Sequence, residues 1–116
     1  MSHLTIYHNP RCSKSRQTLA LIEESGKDCE VIKYLETPPT EAELSRLLTS
    51  LGISARQLLR KGEAEYKELN LADESLDDAA LIKAMSENPK LIERPIVCRG
   101  DEAVLGRPPE NVKALL

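Results

Sequence analysis

The chain has 116 residues, 41% of them hydrophobic and 30% charged, with a formal net charge of −3. That length fits a single domain over residues 1–116, able to bury roughly two thirds of its unfolded surface. The acidic balance and the absence of Trp and Phe argue against a basic, base-stacking nucleic-acid surface. No apolar run approaches a membrane span or a signal h-region, so the expectation is a cytoplasmic chain with no membrane partner.

The opening, Met1-Ser-His-Leu-Thr-Ile-Tyr7, reads as a strand whose β-rich part is Leu4–Tyr7 and which stops at the turn pair Asn9-Pro10. From Ser13 the pattern turns helical, with Leu19, Ala20 and Ile22 on one side and Ser25-Gly26 as the stop. Glu30–Tyr34 reads as a second strand. Strand, helix and strand over this length imply a parallel βαβ unit with a right-handed crossover. The loop after the first strand then sits at a carboxyl end, where ligands bind in open α/β sheets.

The middle, at about residues 40–88, is all helical. Thr40-Glu-Ala-Glu43 has capping-box spacing and leads into Leu44, Leu47, Leu48 and Leu51 before Gly52. Ser54-Ala-Arg-Gln57 repeats it ahead of Leu58 and Leu59, and Ser75-Leu-Asp-Asp78 marks a third start, before Leu81, Ile82 and Met85, with Asn88-Pro89 as the stop. Pro95–Arg99, a turn at Gly100-Asp101 and Ala103–Leu105 read as an antiparallel hairpin, and Pro108-Pro109-Glu110 as the first turn of a terminal helix. The order β-α-β, helical insertion, β-β-α is that of an α/β, thioredoxin-like fold with a four-stranded mixed sheet.

Chemistry concentrates in His8-Asn-Pro-Arg-Cys12-Ser-Lys-Ser-Arg16. Cys12 lies at a helix N-terminus, where unpaired N–H groups carry about half a positive charge, and Arg11, Lys14 and Arg16 add cations. Both effects favour the thiolate, the nucleophilic form. Backbone N–H groups and the Ser13 or Ser15 hydroxyls are suited to hold an oxyanion against that sulfur. Cys98, beside Ile96 and Val97, reads as core, and Cys29, among charged residues ahead of the second strand, as a bystander. Three cysteines with no paired spacing predict neither a disulfide scaffold nor a metal site. With no Cys-x-x-Cys couple, a resolving thiol has to come from outside, from glutathione or a glutaredoxin. His8 fits two readings, orienting the site or merely capping a strand; His3 receives none.

The loop Tyr7-His-Asn-Pro-Arg-Cys-Ser-Lys-Ser-Arg16 resembles the active-site loop of the ArsC family. Tyr34-Leu-Glu-Thr-Pro38, Leu58-Leu-Arg-Lys61, Glu93-Arg-Pro-Ile-Val97 and Gly106-Arg-Pro-Pro109 extend the likeness, in order, over nearly the whole chain. Within the family, Cys-Ser-Lys-Ser-Arg is similar to a YfgD-like branch rather than to members with Gly-Thr in the middle positions. The resemblance implies a glutaredoxin-dependent arsenate reductase. Arsenate is then reduced to arsenite through a covalent cysteine–arsenic intermediate, with glutathione as co-substrate and no bound cofactor. It makes Cys12 the nucleophile and gives Arg60, Arg94 and Arg107 the oxyanion; thioredoxin-like folds usually place a cis proline beside the reactive cysteine, and the sequence leaves the isomer of Arg94-Pro95 open. Guanidinium groups suit that task, being permanently charged forks of donors. Two rivals keep the fold: a glutathione-linked thiol oxidoreductase with another substrate, and a Spx-like regulator that binds RNA polymerase. The latter typically carries a Cys-x-x-Cys switch, and position 15 here is Ser.

Overall fold

The computed structural model describes residues 4–116, so the expected strand start at Met1–His3 lies outside the described residues, as does His3 itself. Two compact units emerge, one formed by the chain up to Thr37 together with Arg94–Leu116, the other by Pro38–Glu93.

The first unit is built on a four-stranded mixed sheet in the order β2-β1-β3-β4. Strand β1 (Leu4–His8) is followed by helix α1 (Ser13–Glu24) and β2 (Cys29–Lys33). β1 and β2 run parallel, as the βαβ reading expects, with Leu4 opposite Cys29 and Ile6 opposite Val31. β3 (Ile96–Arg99) and β4 (Glu102–Leu105) form the hairpin, turned by Gly100 at a φ of 61°. β3 pairs antiparallel with β1, placing Val97 opposite Ile6 and Cys98 opposite Thr5. Alternation along a strand then puts Leu4, Ile6 and Val97 on one face and Thr5, Tyr7 and Cys98 on the other. On the first face Leu4, Ile6 and Val97 join Ile22, Val112 and Leu115 in a buried cluster.

Pro109–Leu115 forms a 3₁₀ helix, not an α-helix. Its buried residues, Pro109, Val112 and Leu115, recur every third position, the period of a 3₁₀ helix, whose side chains at i and i+3 line up on one edge. Arg99 Nη1 donates to the Leu115 carbonyl at 3.0 Å and ties this end to β3. β2 begins one residue earlier than expected and ends at Lys33; Tyr34, just past it, is buried.

The second unit contains α2 (Glu41–Leu51), α3 (Ala55–Leu58), α4 (Ala64–Glu68), α5 (Asp78–Glu87) and a 3₁₀ turn at Pro89–Leu91. Both capping boxes form. Thr40 Oγ1 accepts from the Glu43 N–H and Glu43 Oε1 from the Thr40 N–H, each at 3.1 Å, and Ser54 and Gln57 reciprocate in the same way. Such caps contribute about 1 kcal/mol each. Leu44, Leu47, Leu48, Leu58, Leu81, Met85 and Leu91 are buried in this unit. The third start falls two residues later than Ser75. The Ser75 N–H and hydroxyl both go to Asp73 Oδ1 in a turn, leaving Asp77 to cap α5 by accepting from the Ala80 N–H. Helix α4 has no expected counterpart: it buries no side chain and has no side-chain cap, so neither signal was there to read.

Candidate active site

The loop after β1 is folded by Asn9, whose carbonyl accepts from the Cys12 N–H and whose Oδ1 accepts from the Arg11 N–H, both at 3.0 Å. This Asx-type turn sets Cys12 in extended conformation, φ −95° and ψ 123°, as the N-cap of α1. The first turn of α1 contains no acidic residue, whereas α2, α4 and α5 each begin with at least one. Lys14 and Arg16 stand there instead, both exposed. A cation at that end works against the helix dipole by a few tenths of a kcal/mol or more, an arrangement that makes chemical sense around a negative charge.

Cys12 is half-buried. Burial alone would push its thiol up. It is outweighed by the Ser15 N–H, the Arg94 guanidinium and the Lys14 N–H, which together bring it below the ordinary cysteine value. Arg107 Nη1 lies 3.9 Å from Cys12 Sγ and 3.3 Å from the Arg94 carbonyl. Cys12, Arg94 and Arg107 are thus gathered from α1, the approach to β3 and the exit of β4. The Arg94-Pro95 bond, which the sequence left open, is cis, and so is Arg107-Pro108.

The two serines behave differently from each other. Ser13 is exposed at the first position of α1. Ser15 is fully buried, and its Oγ lies 2.7 Å from His8 Nδ1 while accepting from the Asn9 N–H at 3.0 Å. Its hydroxyl therefore braces the loop rather than facing an anion; its backbone N–H is the group that favours the thiolate. His8 is buried, and burial, together with Lys33 and Arg16, lowers its pKa below 6.5, so it packs as a neutral imidazole at neutral pH. Arg16 donates from Nη1 to the Pro10 carbonyl at 2.9 Å. Arg60 belongs to the helical unit, where its N–H donates to the Leu91 carbonyl and its Nε lies 3.8 Å from carboxylate oxygens of Glu63 and Glu93.

The remaining cysteines sit near the far end of the sheet. Cys29 is opposite Leu4 and Cys98 opposite Thr5, four or more residues along β1 from Asn9, or roughly 13 Å at strand spacing. That exceeds the reach of a disulfide. They also lie on opposite faces, so they cannot pair with each other. Burial raises both thiols, that of Cys98 to about 11. Cys98 is half-buried rather than in the core cluster, because its register with Thr5 and Ala103 turns it to the other face. Cys29 is the first residue of β2 and packs against the cluster.

Two further residues brace the site, Thr18, which carried no signal in the sequence, and Gly106, which appeared there only inside the Gly106-Arg-Pro-Pro109 likeness. Thr18, fully buried in α1, donates from Oγ1 to the Lys14 carbonyl at 2.8 Å and lies 3.3 Å from the Gly106 carbonyl. A Cβ on Gly106 would meet Thr18 Oγ1 at 2.5 Å and Pro95 Cγ at 2.8 Å, so only glycine allows this approach. Their need is tertiary, set by residues distant in the chain. Among the described residues no group of three or more His, Cys, Asp or Glu is placed to hold a metal ion, and no helix is long and apolar enough to cross a membrane.

The ArsC family model matches residues 7–115. The uncharacterized protein YfgD of Escherichia coli (strain K12) is 61% identical over 108 residues, covering 92% of this chain and 91% of its own. An arsenate reductase of Neisseria meningitidis (strain Z2491) is 49% identical over the full length of both chains. Among solved structures, an arsenate reductase from Vibrio cholerae superposes with a TM-score of 0.96 at 55% identity, covering 99% of this chain and 98% of the other. The expected thioredoxin-like fold is the fold of these relatives.

Proposed function

This chain belongs to the ArsC family, and from that premise we propose that it is an arsenate reductase with Cys12 as nucleophile. The observation that carries the reading is the convergence of Arg94 and Arg107 on the Cys12 sulfur. A thiolate at a helix N-terminus, with two guanidinium groups beside it, is complementary to a tetrahedral oxyanion it attacks. The names of the meningococcal and Vibrio relatives support arsenate as that anion, and the family resemblance adds Arg60 to the arginines that bind it.

In the proposed reaction the Cys12 thiolate bonds to arsenic as an oxygen ligand leaves as water. Glutathione thiolate then replaces a second oxygen ligand. A glutaredoxin thiolate captures the glutathione sulfur; the new disulfide is the oxidised product, and the electron pair of the broken sulfur–arsenic bond takes As(V) to As(III). Hydrolysis of the remaining Cys12–arsenic bond releases arsenite and restores the thiol. Outside thiols fit this chain because Cys29 and Cys98 are remote from the loop and their raised pKa values keep them protonated at neutral pH. A reducing cytoplasm supplies both. The test is arsenate-dependent turnover in an assay containing glutathione, glutaredoxin and glutathione reductase. The wild-type chain is expected to turn over and Cys12→Ser to fall to background. Equal low rates from the two end the enzymatic reading.

A further inference from the structure

We propose that Thr18 is a positioning residue for the Cys12 site, its buried hydroxyl fastening the first turn of α1 to the strand end that carries Arg107. The inference rests on Cys12 being the reactive group, not on arsenate being the substrate.

Thr18 touches neither the sulfur nor a presumed substrate. Its hydroxyl stands between two carbonyls, those of Lys14 at 2.8 Å and Gly106 at 3.3 Å. The first contact is the local back-bond common for a helical threonine. The second spans 88 residues of sequence and joins α1 to the residue immediately after β4. Each end leads to the sulfur. Lys14 supplies one of the backbone N–H groups that favour the thiolate, and Gly106 precedes Arg107, whose Nη1 reaches Cys12 Sγ.

The surroundings make the hydroxyl hard to replace. Thr18 has no exposed surface, so water cannot take over the hydrogen bond. The Gly106 N–H donates to the Pro95 carbonyl at 2.9 Å, which ties the peptide entering Gly106 to the approach to β3. The missing Cβ of Gly106 is what lets the strand end lie against Thr18 at all. Removing the hydroxyl leaves the Gly106 carbonyl facing a methyl group in a dry pocket, and a buried acceptor without a donor drives the backbone to move. Movement of Gly106 carries Arg107 with it. The charged groups beside the sulfur are Arg94 from the approach to β3 and Arg107 from the exit of β4; Lys14 and Arg16 of α1 are exposed, and His8 of β1 meets the loop through Ser15. Of the two guanidinium groups, Arg107 is the one that directly follows a residue held by Thr18.

The experiment is the rate of Cys12 alkylation by iodoacetamide as a function of pH, followed on the Cys12 peptide so that Cys29 and Cys98 do not contribute. Thr18→Val keeps the shape and loses the hydroxyl; Thr18→Ser keeps the hydroxyl and loses the methyl. Thr18→Val is expected to alkylate at least about threefold more slowly at neutral pH, because thiolate fraction sets the rate, with its pH profile displaced upward. Thr18→Ser is expected to overlay wild type. A Thr18→Val profile equal to wild type overturns the proposal, and so does a Thr18→Ser profile as displaced as that of Thr18→Val, which would assign the effect to packing. Should Thr18→Val fail to fold by circular dichroism, Thr18→Ser and Thr18→Ala replace the comparison, since they differ by the hydroxyl alone; coincident profiles refute it. No arsenate enters this measurement, so failure of arsenate turnover leaves its outcome legible.

Discussion

Replacing Gly106 with alanine is expected to lower the melting temperature, and the size of the drop follows from three distances. The new Cβ would sit 2.5 Å from Thr18 Oγ1, 2.8 Å from Pro95 Cγ and 2.9 Å from Thr18 Cγ2, where ordinary contact begins at 3.4 Å. Neither neighbour yields easily. A helical threonine is stiff at χ1, this one is held by its hydroxyl, and the Pro95 ring is rigid and buried. Overpacking of this kind costs about 1–3 kcal/mol. The unfolded chain gives back about 0.4–1 kcal/mol, because alanine has less conformational freedom to lose. The mid-range net is a destabilisation of about 1.3 kcal/mol, which for a chain of this size lowers the melting temperature by roughly 4–8 °C. Thermal unfolding followed by circular dichroism measures it, with Gly62→Ala as the control. Gly62 has nothing within 4 Å of its would-be Cβ and is not among the glycines at positive φ, so that change is expected to be neutral or slightly stabilising. A Gly106→Ala melting temperature at or above wild type, or equal losses in both variants, refutes the reasoning.

Arg94→Ala removes a cation that favours the Cys12 thiolate, so the thiol pKa is expected to rise and alkylation of the Cys12 peptide at neutral pH to slow; an unchanged pH profile removes Arg94 from the site. For His8, whose folded pKa lies below 6.5, the unfolded chain binds the proton more readily, so this contribution to stability is full above that value and is lost as pH falls below it. Between about pH 7.5 and about pH 5.5 the melting temperature of wild type is therefore expected to fall more steeply than that of His8→Gln, and parallel slopes would count against a buried neutral imidazole.

What could be read in the sequence was what local chemistry decides. Thr40 with Glu43 and Ser54 with Gln57 announce their helices because a capping box is closed within four residues. Gly26 and Gly52 announce the stops because only a left-handed residue fits there. The parallel pairing of the first two strands followed from connectivity, and the candidate loop from cations gathered at a helix start. Ser75 misled because a serine with an acid two residues before it has a nearer partner than the helix, and Asp73 took it. Ser15 misled for a related reason: a hydroxyl near a reactive sulfur looks available to an anion, yet burial turned it to His8 and Asn9. Thr18 left no trace, and Gly106 only its place in a family motif, since their contact has meaning only once α1 and the exit of β4 are side by side. The closeness of Arg94 and Arg107 to Cys12 was legible only through the family likeness, because an arginine isolated in a sequence carries no sign of where its guanidinium goes.

The placement of Cys29 and Cys98, apart from each other and from the reactive loop, leaves the chain with no reserve of reducing equivalents. In the cycle proposed above, reduction of the arsenic held on Cys12 waits until another molecule brings a thiol to it. On the proposed reading the loop has to admit an outside thiol, and turnover is expected to rise with the concentration of thiol supplied.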